Sequence, residues 1–511
     1  MVSTVLSAML TGLCVELVRV EADVSNGLPM FHIVGYLSSE VKEAVDRVRS
    51  AVRNSDVLLP TKHIVVNLSP ADVRKRGTAF DLPVAVSVLA SIGAIPEESI
   101  RDVLLVGELG LDGSVKKIPG VLPIVMAAKE KGISKCIVPK ENEAEGNLVK
   151  GIRVIGVSSL KEASAYLNGD DSVLEYEKKM PSQEHIIYPD YSEMKGQKVL
   201  KRAAEVAVAG NHNLLMIGPP GVGKTMIAKR IPSILPPLTS KESMELTMLY
   251  SIAGELDDEN PLVTRRPYRE VHHSITRTGL IGGGIIPHPG EISLADCGVL
   301  FLDELAEFPK GMLELLRQPL ENRYMKISRH GREYKFPARF LLVAAMNPCP
   351  CGNYPDLNRC TCTGAQIQHY RNKISQPLLE RMDICIEAER IPYEHLKTLS
   401  REENSADIRK RVIMARERQK QRYGNSAIYT NAQLPAGEIE KYCRLGEKEE
   451  IMMRAAFDKL GLTARTYHKI LCVSRTIADL DGEEMILQRH LAEAISYRMP
   501  DRKYWGGTDG D

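Results

Sequence analysis

The sequence has no surplus of either charge: 67 lysines and arginines stand against 66 acidic side chains in 511 residues. A chain so balanced cannot coat a polyanion by bulk charge, so any such contact must come from a local basic patch. It has no apolar run of about 18 residues, the least that spans a bilayer. No lysine or arginine precedes its apolar start at 1–15. That start runs into the alternating Val15-Glu16-Leu17-Val18-Arg19-Val20, a strand pattern and not a signal peptide. No repeat of fixed period occurs. Nor do its ten cysteines form a disulfide framework, because six are isolated and only Cys349, Cys351, Cys360 and Cys362 crowd together. These absences lead to the expectation of a soluble cytoplasmic protein with no membrane partner. Hydrophobic residues at 43% exclude disorder as the main state. The length suggests about three domains.

What is present divides accordingly. Residues 1–170 mix strand-like segments (64–68, 103–106, 135–138) with helical ones (82–92, 122–131), punctuated by glycine and proline as in a compact α/β domain. From 171 to 192 the pattern dissolves into Asp, Ser, Glu, Lys and Pro, the composition of a linker. A second α/β unit fills 193–393. Residues 394–511 are helical, highly charged and poor in glycine.

The sharpest motif is Gly218-Pro219-Pro220-Gly221-Val222-Gly223-Lys224-Thr225, with an apolar strand (214–217) entering it and a helix (226–231) leaving it. Glycines at those positions let successive backbone N–H groups curl around phosphates, aided by the positive end of the helix. Lys224 is expected to reach the β- and γ-phosphates of ATP, and Thr225 to hold magnesium. Further on, Gly298-Val299-Leu300-Phe301-Leu302-Asp303-Glu304 is a buried strand ending in two carboxylates, where a doubly wound sheet places its ligands. Asp303 would orient the magnesium shell and Glu304 polarise the attacking water. A third strand, 340–346, delivers Asn347 to the same edge. Its amide suits a hydrogen bond to that water or to the γ-phosphate. The alternative is a turn-forming Asn before Pro348.

The order of these motifs, with Leu378-Leu379-Glu380-Arg381-Met382-Asp383 downstream and Thr463-Ala464-Arg465 in a late helix, resembles an AAA+ ATPase of the branch holding the magnesium-chelatase motor and the MCM helicases. The resemblance implies a sensor role for Asn347, an arginine finger entering a neighbouring subunit's site for Arg381, and a lid arginine on the γ-phosphate for Arg465. Without it, the two would be surface arginines among many. Finer text resembles the ComM/YifB family: Arg266-Pro267-Tyr268-Arg269, His272-His273-Ser274-Ile275, Gly282-Gly283-Gly284, Pro289-Gly290-Glu291, Arg317-Gln318-Pro319-Leu320-Glu321, and Met346-Asn347-Pro348-Cys349-Pro350-Cys351-Gly352. The resemblance runs end to end. It implies a homo-hexameric DNA helicase that promotes branch migration during natural transformation.

Residues 323–339 carry Arg323, Lys326, Arg329, Arg332, Lys335 and Arg339 against one acid, Glu333, in a pattern that predicts a β-hairpin turning at His330-Gly331. In the related helicases a hairpin at this place points into the ring pore. Lys326, Arg329, Arg332 and Lys335 would then contact DNA phosphates, single-stranded or branched, without reading bases. The alternative is a solvated hairpin. A second basic run, from Arg409-Lys410-Arg411 through Arg416, Arg418, Lys420 and Arg422, is expected to be one solvated helix face.

Cys349-x-Cys351 and Cys360-x-Cys362 flank turn-forming residues that would bring the pairs together, and four thiolates close a tetrahedral zinc site. Reduced, unligated thiols are the alternative. In the first domain, residues 75–84 and 113–133 resemble the Lon protease catalytic domain, whose fold is ribosomal S5 domain 2-like. Lon-type hydrolysis needs a serine activated by a lysine, but this chain has Phe80-Asp81 and about Ile124 at those places. The domain is therefore expected to be non-proteolytic, serving assembly, partner docking or a purely structural cap. Three other functions compete with a DNA motor. A magnesium-chelatase motor subunit is opposed by the absence of a D-x-S-x-S pattern and by the first domain. A protease is opposed by the missing pair. A ring remodelling protein partners stays open.

Overall fold

The apolar start and the alternating stretch after it form a hairpin of β1 (Val2–Thr11) and β2 (Cys14–Ser25), in register from Val2↔Asp23 to Thr11↔Cys14. Alternation along the pleat buries Val5, Val18, Val20 and Ala22. With β3 (Met30–Val34), β4 (His63–Ser69), β5 (Val103–Leu105), β6 (Lys135–Pro139) and β7 (Arg153–Val157) it makes a seven-stranded mixed sheet ordered β3-β4-β2-β1-β5-β6-β7. Helices α1 (Ala44–Asn54) and α2 (Asp81–Ser91) pack into one apolar cluster with Val5, Val18 and Val20. On the opposite face, α3 (Val121–Glu130) joins a second cluster with Ala8 and Leu104. Asp81 is buried, accepting from Arg47 (2.6 Å) and from the Leu109 N–H (3.3 Å). This computed structural model describes residues 2–174, 188–284, 287–329, 332–390, 402–424, 426 and 428–505. Most of the 171–192 linker, the 393/394 boundary and the His330-Gly331 turn lie outside the described residues.

The second unit is built on α4 (Lys198–Gly210), β8 (Leu214–Ile217), α5 (Lys224–Ile234), α6 (Ser240–Ala253), β9 (Tyr268–Val271), β10 (Val299–Leu302), the hairpin β11 (Tyr324–Arg329) and β12 (Arg332–Pro337), β13 (Leu341–Met346) and β14 (Ile384–Glu387). Its five-stranded sheet has the order β9-β10-β13-β8-β14 and is parallel throughout. The strands β8, β10 and β13 are buried at every residue. Near-continuous apolar runs are what a parallel sheet covered on both faces requires. Tyr191, fully buried, belongs to this core.

The last unit holds α7 (Ser405–Tyr423), α8 (Glu447–Leu460), α9 (Ala464–Asp481) and α10 (Gln488–Ser496). Ile408, Val412 and Ala415 of α7 share one apolar cluster with Leu200 and Ala203 of α4 and with Ile470, Val473 and Ile477 of α9. The basic run on α7 is a solvated face only in part: Arg409, Lys410 and Lys420 are exposed, while Arg411, Arg416, Arg418 and Arg422 are half-buried. Arg416 donates to the Val208 carbonyl at 2.7 Å, and Gln419 donates to that of Ala209 at 2.9 Å. Arg409 donates to the Leu235 carbonyl at 2.9 Å. These carbonyls belong to the last turn of α4 and the C-cap of α5, the electronegative helix ends that lack intrahelical donors. Arg409 and Arg416 thus cap two helices of the motor and tie this domain to it.

The first domain is docked as well. The Gly120 N–H donates to the Ser251 carbonyl at 2.9 Å, Ser251 Oγ donates to Glu145, and Lys117 pairs with Asp258. No helix among the described residues is long and apolar enough to cross a membrane.

Asp479 is the buried hub of the last unit, accepting from Arg422 (2.8 Å), Arg475 (3.2 Å) and Asn431 (2.9 Å). Its removal leaves buried cations unpaired. Asp479→Ala is expected to lower unfolding free energy by about 3–5 kcal/mol in urea titration, and Asp479→Asn by clearly less.

Candidate nucleotide site and metal cluster

Parallel pairing brings the three motif strands to one edge. In register, Ile217 lies beside Met346 and Leu302 beside Ala344, so Gly218, Asp303 and Asn347 emerge together. Gly221 (φ +79°) and Gly223 (φ +95°) occupy the left-handed region, which the turn into α5 needs and other side chains resist. Lys224 Nζ donates to the carbonyls of Gly218 (2.6 Å) and Pro219 (2.8 Å) and to Asn347 Oδ1 (3.1 Å). Thr225 Oγ1 donates to Asp303 Oδ2 at 2.8 Å. These two oxygens are the kind a hard divalent cation takes. Burial lowers the Lys224 ammonium to about 8, against the pull of Asp303 and Glu304. A cation held in so dry a place suits an anionic ligand such as a phosphate.

Glu304 stands at φ +51°, a sparsely populated backbone conformation for a side-chain-bearing residue. Its Oε2 is 3.8 Å from His273 Nδ1, an atom buried without a hydrogen-bond partner. His273 follows β9, whose Val271 is paired beside Leu302, and its ring meets Phe308 edge-on at 6.3 Å.

The cysteine loop forms another wall. Sulfur separations are 3.5 Å for Cys349–Cys351, 3.7 Å for Cys349–Cys360 and 3.6 Å for Cys351–Cys360, and all four sulfurs lie within 4.8 Å of one another. Zinc–sulfur bonds of about 2.3 Å put tetrahedral sulfurs about 3.8 Å apart, so this donor set fits zinc. The Asn353 backbone N–H lowers the Cys351 thiol, whereas Cys360 and Cys362 are raised, against hydrogen bonds to their own sulfurs, by desolvation and the neighbouring thiols, so the four share their negative charge. Gly352 (φ +78°) lies so close to the phosphate loop that an added Cβ would sit 2.6 Å from Pro220 Cδ.

Arg381 and Arg465 are not brought to Lys224. They line one cleft of about 250 Å³ with Glu321, Glu380 and Asp383. Arg381 pairs with Glu321, and Arg465 pairs with Glu380 at 2.6 Å. Asn213, one residue before β8, donates to the Arg381 carbonyl at 2.9 Å and to Asp383 at 2.8 Å. The cleft therefore sits at the amino end of β8, and Gly218 at the carboxyl end, roughly 13 Å of strand away at about 3.3 Å per residue. Burial works against the Asp383 carboxylate, but Lys469 at 2.6 Å and the Asn213 amide hold it below the usual range.

The predicted hairpin is present, with Lys326 opposite Lys335 and Arg329 opposite Arg332. Three of the four candidate DNA contacts have partners within the chain: Lys326 with Glu333 (2.5 Å), Arg332 with Glu16 (3.3 Å), and Lys335 over the Tyr324 ring (5.2 Å). Arg329 is exposed. Arg339 is not a hairpin contact, since Asp296 and Glu245, each at 2.6 Å, bind it at the hairpin's foot.

Three family descriptions match the chain: "Subunit ChlI of Mg-chelatase" over 20–142, "Magnesium chelatase, subunit ChlI" over 190–396, and its C-terminal part over 402–498. Competence protein ComM of Haemophilus influenzae is 43% identical over 95% of both chains. The chain belongs to the ComM/YifB family. A YifB protein of Escherichia coli, described as uncharacterized, is 41% identical over 95% of this chain and 94% of its own. Lon protease 2 of Bacillus subtilis is 31% identical over 125 residues, 24% of this chain.

Membership makes this a magnesium-chelatase-like AAA ATPase with a Lon-like first domain. One sequence argument is corrected: the first domain does not set the chain apart from chelatase motors, because a ChlI description covers 20–142. His273 is the site residue that the motif reading passed over. Its only signal was a paired His272-His273 just after a strand, too common a pattern to single out without the neighbour that the sheet supplies. His273→Ala is expected to lower the ATPase kcat about tenfold by loosening Glu304, with nucleotide Kd within about twofold by titration.

Proposed function

We propose that this chain is an ATP-driven, ring-forming DNA motor, a helicase or branch-migration translocase serving recombination during natural transformation in the cytoplasm. The observation that carries the motor reading is the placement of Arg381 and Arg465 together at the sheet edge opposite Lys224. In a protomer built this way Arg381 and Arg465 stand apart from their own phosphate loop, and a neighbour would receive them by exchanging Glu321 and Glu380 for phosphate. A ring, hexameric by family analogy, closes such head-to-tail contacts.

When bound, ATP supplies the phosphoanhydride to be cleaved and magnesium neutralises its charge. The backbone N–H groups of 221–225 and Lys224 hold the phosphates, and Thr225 and Asp303 hold the metal. Glu304 polarises the attacking water, and Asn347 orients it without adding negative charge. Arg381 and Arg465 of an adjoining copy would stabilise the transferring phosphoryl group, which makes hydrolysis depend on assembly. The four cysteines hold zinc and brace the loop that packs on Pro220. The DNA assignment is supported by the basic hairpin leading directly into the Asn347 strand and by full-length similarity to a competence protein. A magnesium-chelatase motor subunit is the second reading, supported by the ChlI descriptions along the chain.

The test is ATP-dependent movement of a synthetic four-way DNA junction. The unmodified protein should move it, and Lys224→Ala and Glu304→Gln should not. Stimulation of a chelatase reaction with no junction movement would favour the second reading. Arg329→Ala combined with Arg332→Ala should weaken DNA binding and shallow its dependence on salt by about one to two released ions per chain, with ATP binding unchanged. Purified protein should contain about one zinc per chain, and Cys360→Ser should lose it; elemental analysis checks both.

A further inference from the structure

A half-enclosed cavity of about 500 Å³ opens between the first domain and the turn end of the basic hairpin. Five consecutive residues, Ala8 to Gly12, line it. Side chains of a strand alternate between faces, so a wall of consecutive residues means that the cavity runs along the strand's edge. The pairing explains why that edge is open. β1 is bonded to β2 along its whole length, but to β5 only around Leu6↔Leu104. Among the described residues, no turn or loop backbone hydrogen bond involves residues 8–12. Thr11 Oγ1, inside this wall, is buried with no hydrogen-bond partner. An unpaired strand edge is a template for one more strand.

The remaining walls state what that strand should carry. The floor is apolar, with Phe80 and Ile124 lining it. These are the residues found where the resembling protease would have its nucleophile and lysine, so the place is shaped for retention and not for cleavage. The rim is basic: Arg74, Arg76, His288 and Arg332 face a single acid, Asp72. Arg74 is stacked on Tyr36 at 5.7 Å, and Arg332 already reaches a carboxylate, that of Glu16 at 3.3 Å.

We propose that this groove binds an extended peptide segment of a partner protein, alternating apolar and acidic residues, which adds a strand to the free edge of β1 at residues 8–11. Backbone pairing supplies the affinity, the apolar floor takes alternate side chains, and the arginine rim takes the carboxylates. Because Arg332 and Tyr334 of β12 form part of the wall, the bound segment touches the hairpin itself. The assignment does not rest on what the hairpin binds.

The test is fluorescence anisotropy on the full chain with a labelled decapeptide alternating leucine and glutamate. Saturable binding is expected, with the lysine-for-glutamate peptide and the Arg74→Glu, Arg76→Glu double variant each weaker by about tenfold or more. The same peptide N-methylated at every second residue should also fail to bind, because strand addition needs its N–H groups. Amide exchange at residues 8–11 should slow in the complex, and the double variant should keep its ATPase activity, showing an intact motor. Equal binding of the lysine or N-methylated peptide, an unchanged double variant, or no saturable binding would each overturn the proposal.

Discussion

Parallel register between β8, β10 and β13 is the constraint on which the site depends. Gly218, Asp303 and Asn347 lie far apart in the chain, yet Ile217 beside Met346 and Leu302 beside Ala344 make them neighbours. A slip of one residue in any strand would turn its apolar side chains to the wrong face and move its terminal ligand by about 3.3 Å. Burial of all three strands on both faces forbids that slip, so the hydrophobic core and the placement of the chemistry have one origin. The contacts Lys224–Asn347 and Thr225–Asp303 are its direct result.

Around this edge the chain spends its charges economically. Arg409 and Arg416 of α7 cap helix ends of the motor, and the buried Asp479 gathers two guanidinium groups and an amide. The same logic holds at the hairpin, where Glu333 and Glu16 partner cations that a charge count alone would offer to a polyanion. Near-neutral net charge therefore reflects pairing across domains. The cysteine loop joins the same system through Gly352 against Pro220, which places a fitted metal-ligand set against the phosphate loop.

Much of this was legible in the text. The phosphate loop, the two-carboxylate strand and the cysteine cluster announce themselves because each is local: a glycine turn needs its own residues, an apolar strand its own run, and C-x-C pairs their own spacing. The strands at 64–68, 103–106 and 135–138 and the helices at 82–92 and 122–131 were found within a residue or so for that reason. His273 was missed because its meaning depends on Glu304, which arrives on a different strand. The basic face of α7 was misread because helical spacing shows which side chains share a side, but not that carbonyl ends of two other helices wait there.

Sequence by itself pointed to three parts, to candidate residues for phosphate, magnesium and zinc, and to Phe80-Asp81 and Ile124 where the resembling protease would have its nucleophile and lysine. Only the tertiary structure decided that Arg381 and Arg465 stand together at the far end of the sheet from Lys224, and that β1 at residues 8–11 pairs with β2 alone and turns its other edge to a basic-rimmed cavity. The physical reason is that motif chemistry is written in short-range residue order. Which strand ends are shared, which edges stay open and which charges find partners depend on contacts between segments hundreds of residues apart, and no local pattern encodes those.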